Sequence, residues 1–203
     1  MRIGHLLFML TCPLVTGCAE DITGGATEGT GVGSGSSTDP SGSEAAGSNA
    51  TGSGPTAYDQ EILAVAATYK GSAFSKINSQ PYTSTVGTFQ INVYAYGDVT
   101  NYRAIHPETT STMTIGVGTV IVREVLDAAG AVSSLTMIAK APAGYDATLG
   151  DWWFAETDPS GAAMVTDGTL QVGKLVACHS CHVPRETDDY LFGVPKAMQS
   201  RNH

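Results

Sequence analysis

The sequence predicts a mainly β (α+β) fold: an antiparallel sheet with a few helices. Three stretches carry that expectation. Thr88 to Tyr96 alternates, with Phe89, Ile91, Val93 and Ala95 against Gln90, Asn92 and Tyr94, the period of a strand with one buried face. Thr119–Leu126 and Val132–Lys140 are two further strands, joined through Asp127-Ala-Ala-Gly130 as a hairpin loop. Trp152–Thr157 is a fourth strand, closed by the turn Asp158-Pro-Ser-Gly161, and a short strand around Ala162–Thr166 completes its hairpin. Consecutive hairpins imply antiparallel pairing rather than the helical bundle of small electron-transfer proteins.

The chain opens MRIGHLLFMLTCPLVTGC. Arg2 supplies a positive start, and Leu6 to Val15 is an apolar run too short to span a bilayer as a stable helix. Val15-Thr16-Gly17-Cys18 resembles a bacterial lipobox, which makes residues 1–17 a signal peptide and Cys18 the lipidated N-terminus. An ordinary secretory signal is the alternative. The first reading places the protein on a bacterial membrane, facing periplasm or cell surface, held by its lipid alone.

Residues 18–56 are Gly, Ser, Thr and Ala with scattered acids, too poor in large apolar side chains to offset the entropy of ordering. They read as a disordered tether with a root-mean-square reach of roughly 35 Å. Residues 57–203 read as one domain, long enough to bury roughly two-thirds of its extended-chain surface. The whole chain has 10 Lys+Arg against 19 Asp+Glu, a net charge of −9. Glu20, Asp21, Glu28, Asp39 and Glu44 fall on the tether, so the domain itself is only mildly acidic. Nothing in that balance suggests nucleic acid. An acidic exported surface serves solubility, or steers a basic redox partner.

Within the domain, Tyr58 to Lys70 reads as a helix with Ile62, Ala66 and Tyr69 on one face, ended by Gly71. Ser75 to Ser84 reads as loop, and Val99 to Ile105 as a helical turn before Pro107. A short C-terminal helix carries Cys178-His179-Ser180-Cys181-His182.

That last stretch is C-x-x-C-H, the attachment pattern of a c-type haem. Two intervening residues let both thiols reach two vinyl groups on one edge of the ring and form thioethers. The histidine after the second cysteine is carried under the iron by the same turn. Three other readings compete. A thioredoxin-like C-x-x-C needs a βαβ context, which is missing upstream. A structural zinc site needs a second ligand pair, and no second Cys pair exists. A disulfide across two residues closes a small, strained loop. The cysteine count agrees with haem: Cys12 leaves with the signal, Cys18 takes lipid, and Cys178 and Cys181 remain in an oxidising compartment without another partner.

Three stretches together resemble the cytochrome P-460 family, which includes cytochrome c′-beta. Gly118-Thr-Val-Ile-Val-Arg-Glu124 resembles its G-T-x-I-V-K-E strand. Gly144-Tyr-Asp-Ala-Thr-Leu-Gly-Asp-Trp-Trp-Phe154, running on to Asp158-Pro-Ser-Gly161, resembles its G-Y-D-P…D-W-F-W…D-x-x-G block. Cys178-His-Ser-Cys-His182 followed by Asp188-Asp-Tyr-Leu-Phe192 resembles its C-x-x-C-H…D-Y-V-F ending. The resemblance implies a mainly antiparallel β fold, usually a homodimer. It implies one covalent haem c held by Cys178 and Cys181, His182 as the axial iron ligand, and an open distal face. Members oxidise hydroxylamine or bind nitric oxide and carbon monoxide. One departure bears on that choice. Enzymatic members cross-link a lysine to the ring, and here no lysine occurs between Lys76 and Lys140; the family's V-K-E lysine is Arg123, which stays protonated. Lys70, Lys76, Lys140 and Lys174 remain as donors.

Three functions follow as expectations. One is an oxidoreductase for hydroxylamine or a similar small nitrogen compound. The second is a nitric oxide or carbon monoxide binder, and the third a simple electron-transfer cytochrome. Glu124 alternates with Val120 and Val122, which makes it a candidate inward carboxylate that takes a proton from a bound amine; the competing role is a salt bridge. His106, before Pro107, is read as an exposed loop residue and His179 as a solvated neighbour. Met137 and Met164 are read as core, and Trp152, Trp153, Phe154 and Phe192 as packing around the fold and haem. Asp189 and Tyr190 are read as helix-end and surface residues.

Overall fold

The computed structural model describes residues 54–85 and 87–201. The signal peptide, Cys18 and the tether up to residue 53 lie outside the described residues. The described chain is mainly antiparallel β with a few helices, as the sequence predicts. A seven-stranded sheet runs β1 (Ser75–Lys76), β3 (Gln90–Tyr96), β4 (Val120–Leu126), β5 (Val132–Lys140), β6 (Trp152–Thr157), β9 (Val172–Gly173), and β2 (Tyr82–Thr83) also pairs with β3. All of these pairings are antiparallel. A separate hairpin joins β7 (Val165–Thr166) to β8 (Thr169–Leu170). Among the described residues three α-helices accompany the strands: α1 (Ala57–Ala66), α2 (Val99–Ala104) and α3 (Val176–His182). Among the described residues no helix is long and apolar enough to cross a membrane.

Both faces of the sheet are covered, so β3 buries Asn92 as well as Ile91 and Val93, and the expectation of one buried face is corrected. Side chains alternate between two cores. Ile91, Val93, Ala95, Ile121, Ile138, Trp152 and Phe154 belong to one, which also holds Leu175, Leu191 and Val194 from the C-terminal segment. Val120, Val122, Met137, Ala139, Trp153 and Ala155 belong to the other, with Ile62, Ala66 and Tyr69 from the α1 region. We call these the C-terminal face and the α1 face.

Local chemistry explains the elements. Thr56 caps α1: its hydroxyl accepts from Asp59 N, while the Asp59 carboxylate accepts from Thr56 N at 2.7 Å. Asp59 then accepts from the Trp153 indole at 2.7 Å, which ties the helix to β6. The helix stops at Ala66 rather than Lys70. Thr68 N and Tyr69 N reach back only three residues, tightening the last turn. In the β4–β5 loop, Asp127 Oδ1 accepts from Ala129 N and Ala131 N, and Gly130 takes φ +81°. After β6, Asp158 Oδ1 accepts from Ser160 N and Ala162 N.

Two local expectations are corrected. The segment read as loop, Ser75 to Ser84, contributes β1 and β2; each is two residues long, too short to show a period of two. The strand expected around Ala162–Thr166 touches β6 only through the Thr157–Ala163 bridge, and its end turns away to pair within β7–β8.

Candidate haem-attachment site

The site is assembled from the first turn of the C-terminal segment outward. Cys178 and Cys181 lie one turn apart on α3, and neither is in a disulfide. Cys178 packs against the C-terminal face of the sheet. Burial, followed by the Glu156 charge, pushes its thiol up to about 11. A redox-active C-x-x-C needs a depressed thiol, so this environment speaks against the thioredoxin-like alternative. Among the described residues no three His, Cys, Asp or Glu side chains converge to hold a metal ion.

His182 ends α3, half-buried, with its ring between Phe154 and Phe192. Both aromatic contacts are edge-to-face, with centroids at 5.3 and 5.2 Å. Its Nδ1 lies 2.5 Å from the Tyr190 carbonyl oxygen. A carbonyl accepts, so Nδ1 carries the proton and Nε2 keeps its lone pair, the tautomer of a metal-binding histidine. Burial lowers the affinity of the ring for a second proton. The Tyr190 bond opposes that, and the Arg123 and His179 charges add to it.

The Tyr190 carbonyl is itself held in place by its neighbours. Asp189 and Tyr190 both adopt positive φ, +52° and +62°, a conformation that costs on the order of 1–3 kcal/mol per residue and persists only where surroundings impose it. The Asp189 carboxylate accepts from Lys140 Nζ at 2.6 Å and Ile115 N at 2.8 Å, and its carbonyl accepts from the Trp152 indole at 2.8 Å. Asp188, 1% exposed, pairs with Arg185 at 2.9 Å and accepts from Ser111 N. Gly150 leaves room for Tyr190: a Cβ there would lie 2.6 Å from its ring. Asp189 does end a helix, as the cap of the 3-10 turn Val183–Asp188, but neither it nor Tyr190 is merely a surface residue: together they support His182. The available signal was their position within the Asp188-Asp-Tyr-Leu-Phe192 stretch.

Other candidates fall elsewhere. Glu124 is 3% exposed but on the α1 face, with Val120 and Val122; the structure does not bring it to His182. There it accepts from Tyr69 Oη at 2.8 Å and Asn92 Nδ2 at 2.9 Å and pairs with Lys70 at 2.9 Å, which is the salt-bridge role. Burial raises its carboxyl, but these three donors outweigh burial and hold it below the ordinary carboxylate range. Of the other lysines, Lys140 pairs with Asp189 and lies 4.8 Å from the Trp152 ring centroid, Lys174 stacks on Tyr145, and Lys76 is exposed on β1. His106 is half-buried rather than exposed and pairs with Glu108 at 2.9 Å. His179 is half-buried as well. Met137 is core; Met164 lies at the surface, 36% exposed, because its segment leaves the sheet.

The residues present fit a covalently held haem. Two thiols lie one turn apart, an imidazole of the right tautomer follows them, and an apolar sheet face adjoins Cys178 and His182. No protein-family model matches the chain, and no curated protein matches it.

Proposed function

We propose that this is an exported c-type haem protein, anchored through lipid on Cys18, that acts on small nitrogen compounds. Cys178 and Cys181 would hold the haem and His182 would supply an imidazole to its iron. The observation that carries the reading is the Nδ1–H of His182 bonded to the Tyr190 carbonyl, one residue past a Cys-x-x-Cys pair that forms no disulfide. When bound, haem supplies an iron that binds small ligands and changes oxidation state. The chain's own part is orientation and shielding. The Tyr190 carbonyl fixes the tautomer, Phe154 and Phe192 fix the ring plane, and the C-terminal face supplies a water-poor apolar wall.

The resemblance to the cytochrome P-460 family narrows the choice to hydroxylamine oxidation or binding of nitric oxide or carbon monoxide. The burial of Glu124 in its own ion pair on the α1 face favours binding, since that carboxylate is committed elsewhere. A basic redox partner and a homodimeric state belong to the same proposal.

The test is an absorption spectrum of the matured protein, ferric and ferrous, with and without nitric oxide, beside a steady-state assay with hydroxylamine and an artificial acceptor. A five-coordinate ferrous spectrum that shifts with nitric oxide, without turnover above free haem, supports binding. Turnover, with a lysine cross-link seen by mass spectrometry, supports the enzyme. Resting low-spin six-coordinate iron points to electron transfer. Protein without pigment after denaturation overturns all three.

A further inference from the structure

Arg123 stands next to Glu124 in sequence but on the opposite face of the sheet. Directly opposed residues of an antiparallel sheet share a face. Val93, Arg123, Thr136 and Glu156 form one such row across β3, β4, β5 and β6. Two residues along each strand lies the row Ile121, Ile138 and Phe154, and Phe154 touches His182. The polar row is therefore about 7 Å from the row beneath the imidazole. Burial raises Tyr82 and Tyr102 and lowers His182; the Arg123 charge opposes the first two shifts and adds to the third, and Glu156 acts on Cys178.

That row is incompletely paired. Arg123 Nη2 donates to Ser84 Oγ at 2.9 Å, but Arg123 Nε is buried with no hydrogen-bond partner among the described residues. Thr136 Oγ1, on the strand directly beside it, is also buried and unpartnered. Buried polar atoms in native proteins are nearly always satisfied, and two orphans at opposed positions indicate one missing acceptor. A guanidinium N–H and a hydroxyl O–H side by side fit a carboxylate or a small oxyanion. Glu156 directly opposes Thr136 on the next strand and lies two strands, about 10 Å, from Arg123. An anion held between Arg123 and Thr136 lies about 7 Å from the β6 backbone and in hydrogen-bond contact with the guanidinium, so attraction outweighs the Glu156 repulsion roughly twofold, by the inverse dependence on distance.

We infer that Arg123 and Thr136 form an anion-binding corner beside the Cys-x-x-Cys-His turn. The anion has two sources: a propionate of the haem, an arm that rests on the proposed function, or a free oxyanion such as nitrite, an arm that does not. Arg123 would then occupy on this face the counterpart of what Lys70 does for Glu124 on the other: a cation for a carboxylate, here one that the chain does not itself supply.

The test uses the full matured chain, titrated calorimetrically with nitrite and separately with acetate, with its midpoint potential recorded. A free-anion site predicts nitrite binding that weakens about tenfold or more in Arg123→Met and several-fold in Thr136→Val. A propionate site predicts no binding heat in the parent, a midpoint potential that falls in Arg123→Met, a smaller fall in Thr136→Val, and substantial recovery in Arg123→Lys. If Arg123→Met does not fold by circular dichroism, Arg123→Lys and Thr136→Val give the same comparison. Folded variants that match the parent in both anion affinity and midpoint potential overturn the inference. If the chain carries no covalent haem, the proposed function fails while calorimetry still decides the corner. Nitrite binding abolished by Arg123→Met upholds it, and absence of binding in the parent overturns it.

Discussion

Arg123 and Glu124 are consecutive residues on one strand, and they report two different regions. On the α1 face, Glu124 is surrounded by donors from Tyr69, Lys70 and Asn92, and Asn92 Oδ1 in turn accepts from Asn78 Nδ2 at 3.1 Å. The chain supplies every partner. On the C-terminal face, Arg123 and Thr136 keep unpaired buried atoms, and His182 keeps a directed lone pair beside two cysteines that form no disulfide. The two faces hold comparable polar chemistry inside apolar cores, but only one is closed. A closed cluster holds a fold together. An open one beside a strained, heavily supported loop has the character of a binding site.

The comparison can be broken most severely at the cysteines. Cys178→Ala with Cys181→Ala should abolish covalent pigment on a denaturing gel, and the domain should lose stability because an apolar cavity replaces the ring. His182→Ala should keep some covalent pigment but change its spectrum and abolish nitric oxide binding of the native type. A double cysteine variant that stays covalently red would end the haem reading.

Asp189→Ala comes next. It leaves Lys140 buried without its carboxylate and releases the Tyr190 carbonyl, so we expect a loss of about 3–5 kcal/mol in chemical denaturation. The haem spectrum should change at the same time. Asp189→Asn, which keeps a polar group of the same shape, should lose less.

Glu124→Gln tests the other face and should behave oppositely. Stability should fall by about 1–3 kcal/mol, since Lys70 and the buried donors lose a charged acceptor, while the haem spectrum and ligand binding stay as in the parent. A spectral change would mean that the α1 face is coupled to the site.

The smallest effect is in the acid limb of stability. Glu124 has a folded value below its ordinary one, so the unfolded chain binds more protons at this group. Its contribution is fully present above the ordinary carboxylate range, near about pH 4.3. It is lost as pH falls through the folded value. Melts from pH 6 downward should show a shallower decline in Glu124→Gln than in the parent. Parallel curves would remove the carboxylate from the account.

The four longest strands, the β4–β5 hairpin and the Cys-x-x-Cys-His turn were legible in the sequence because each is written locally. Alternation marks a strand, Asp-Ala-Ala-Gly and Asp-Pro-Ser-Gly mark turns, and two residues between cysteines set a one-turn spacing. The strands β5 and β6 were read with the bounds they have. What the sequence could not show was which face each strand residue takes in a sheet covered on both sides. Alternation names two sets of residues without saying which core each set enters. It therefore left Glu124 as a candidate beside His182, when packing sends it to α1 and sends Arg123 to the C-terminal face. The same limit hid Asp189. Its importance comes from Lys140, Ile115 and Trp152, distant in sequence, and only the tertiary structure brings those partners together around the carbonyl that orients His182.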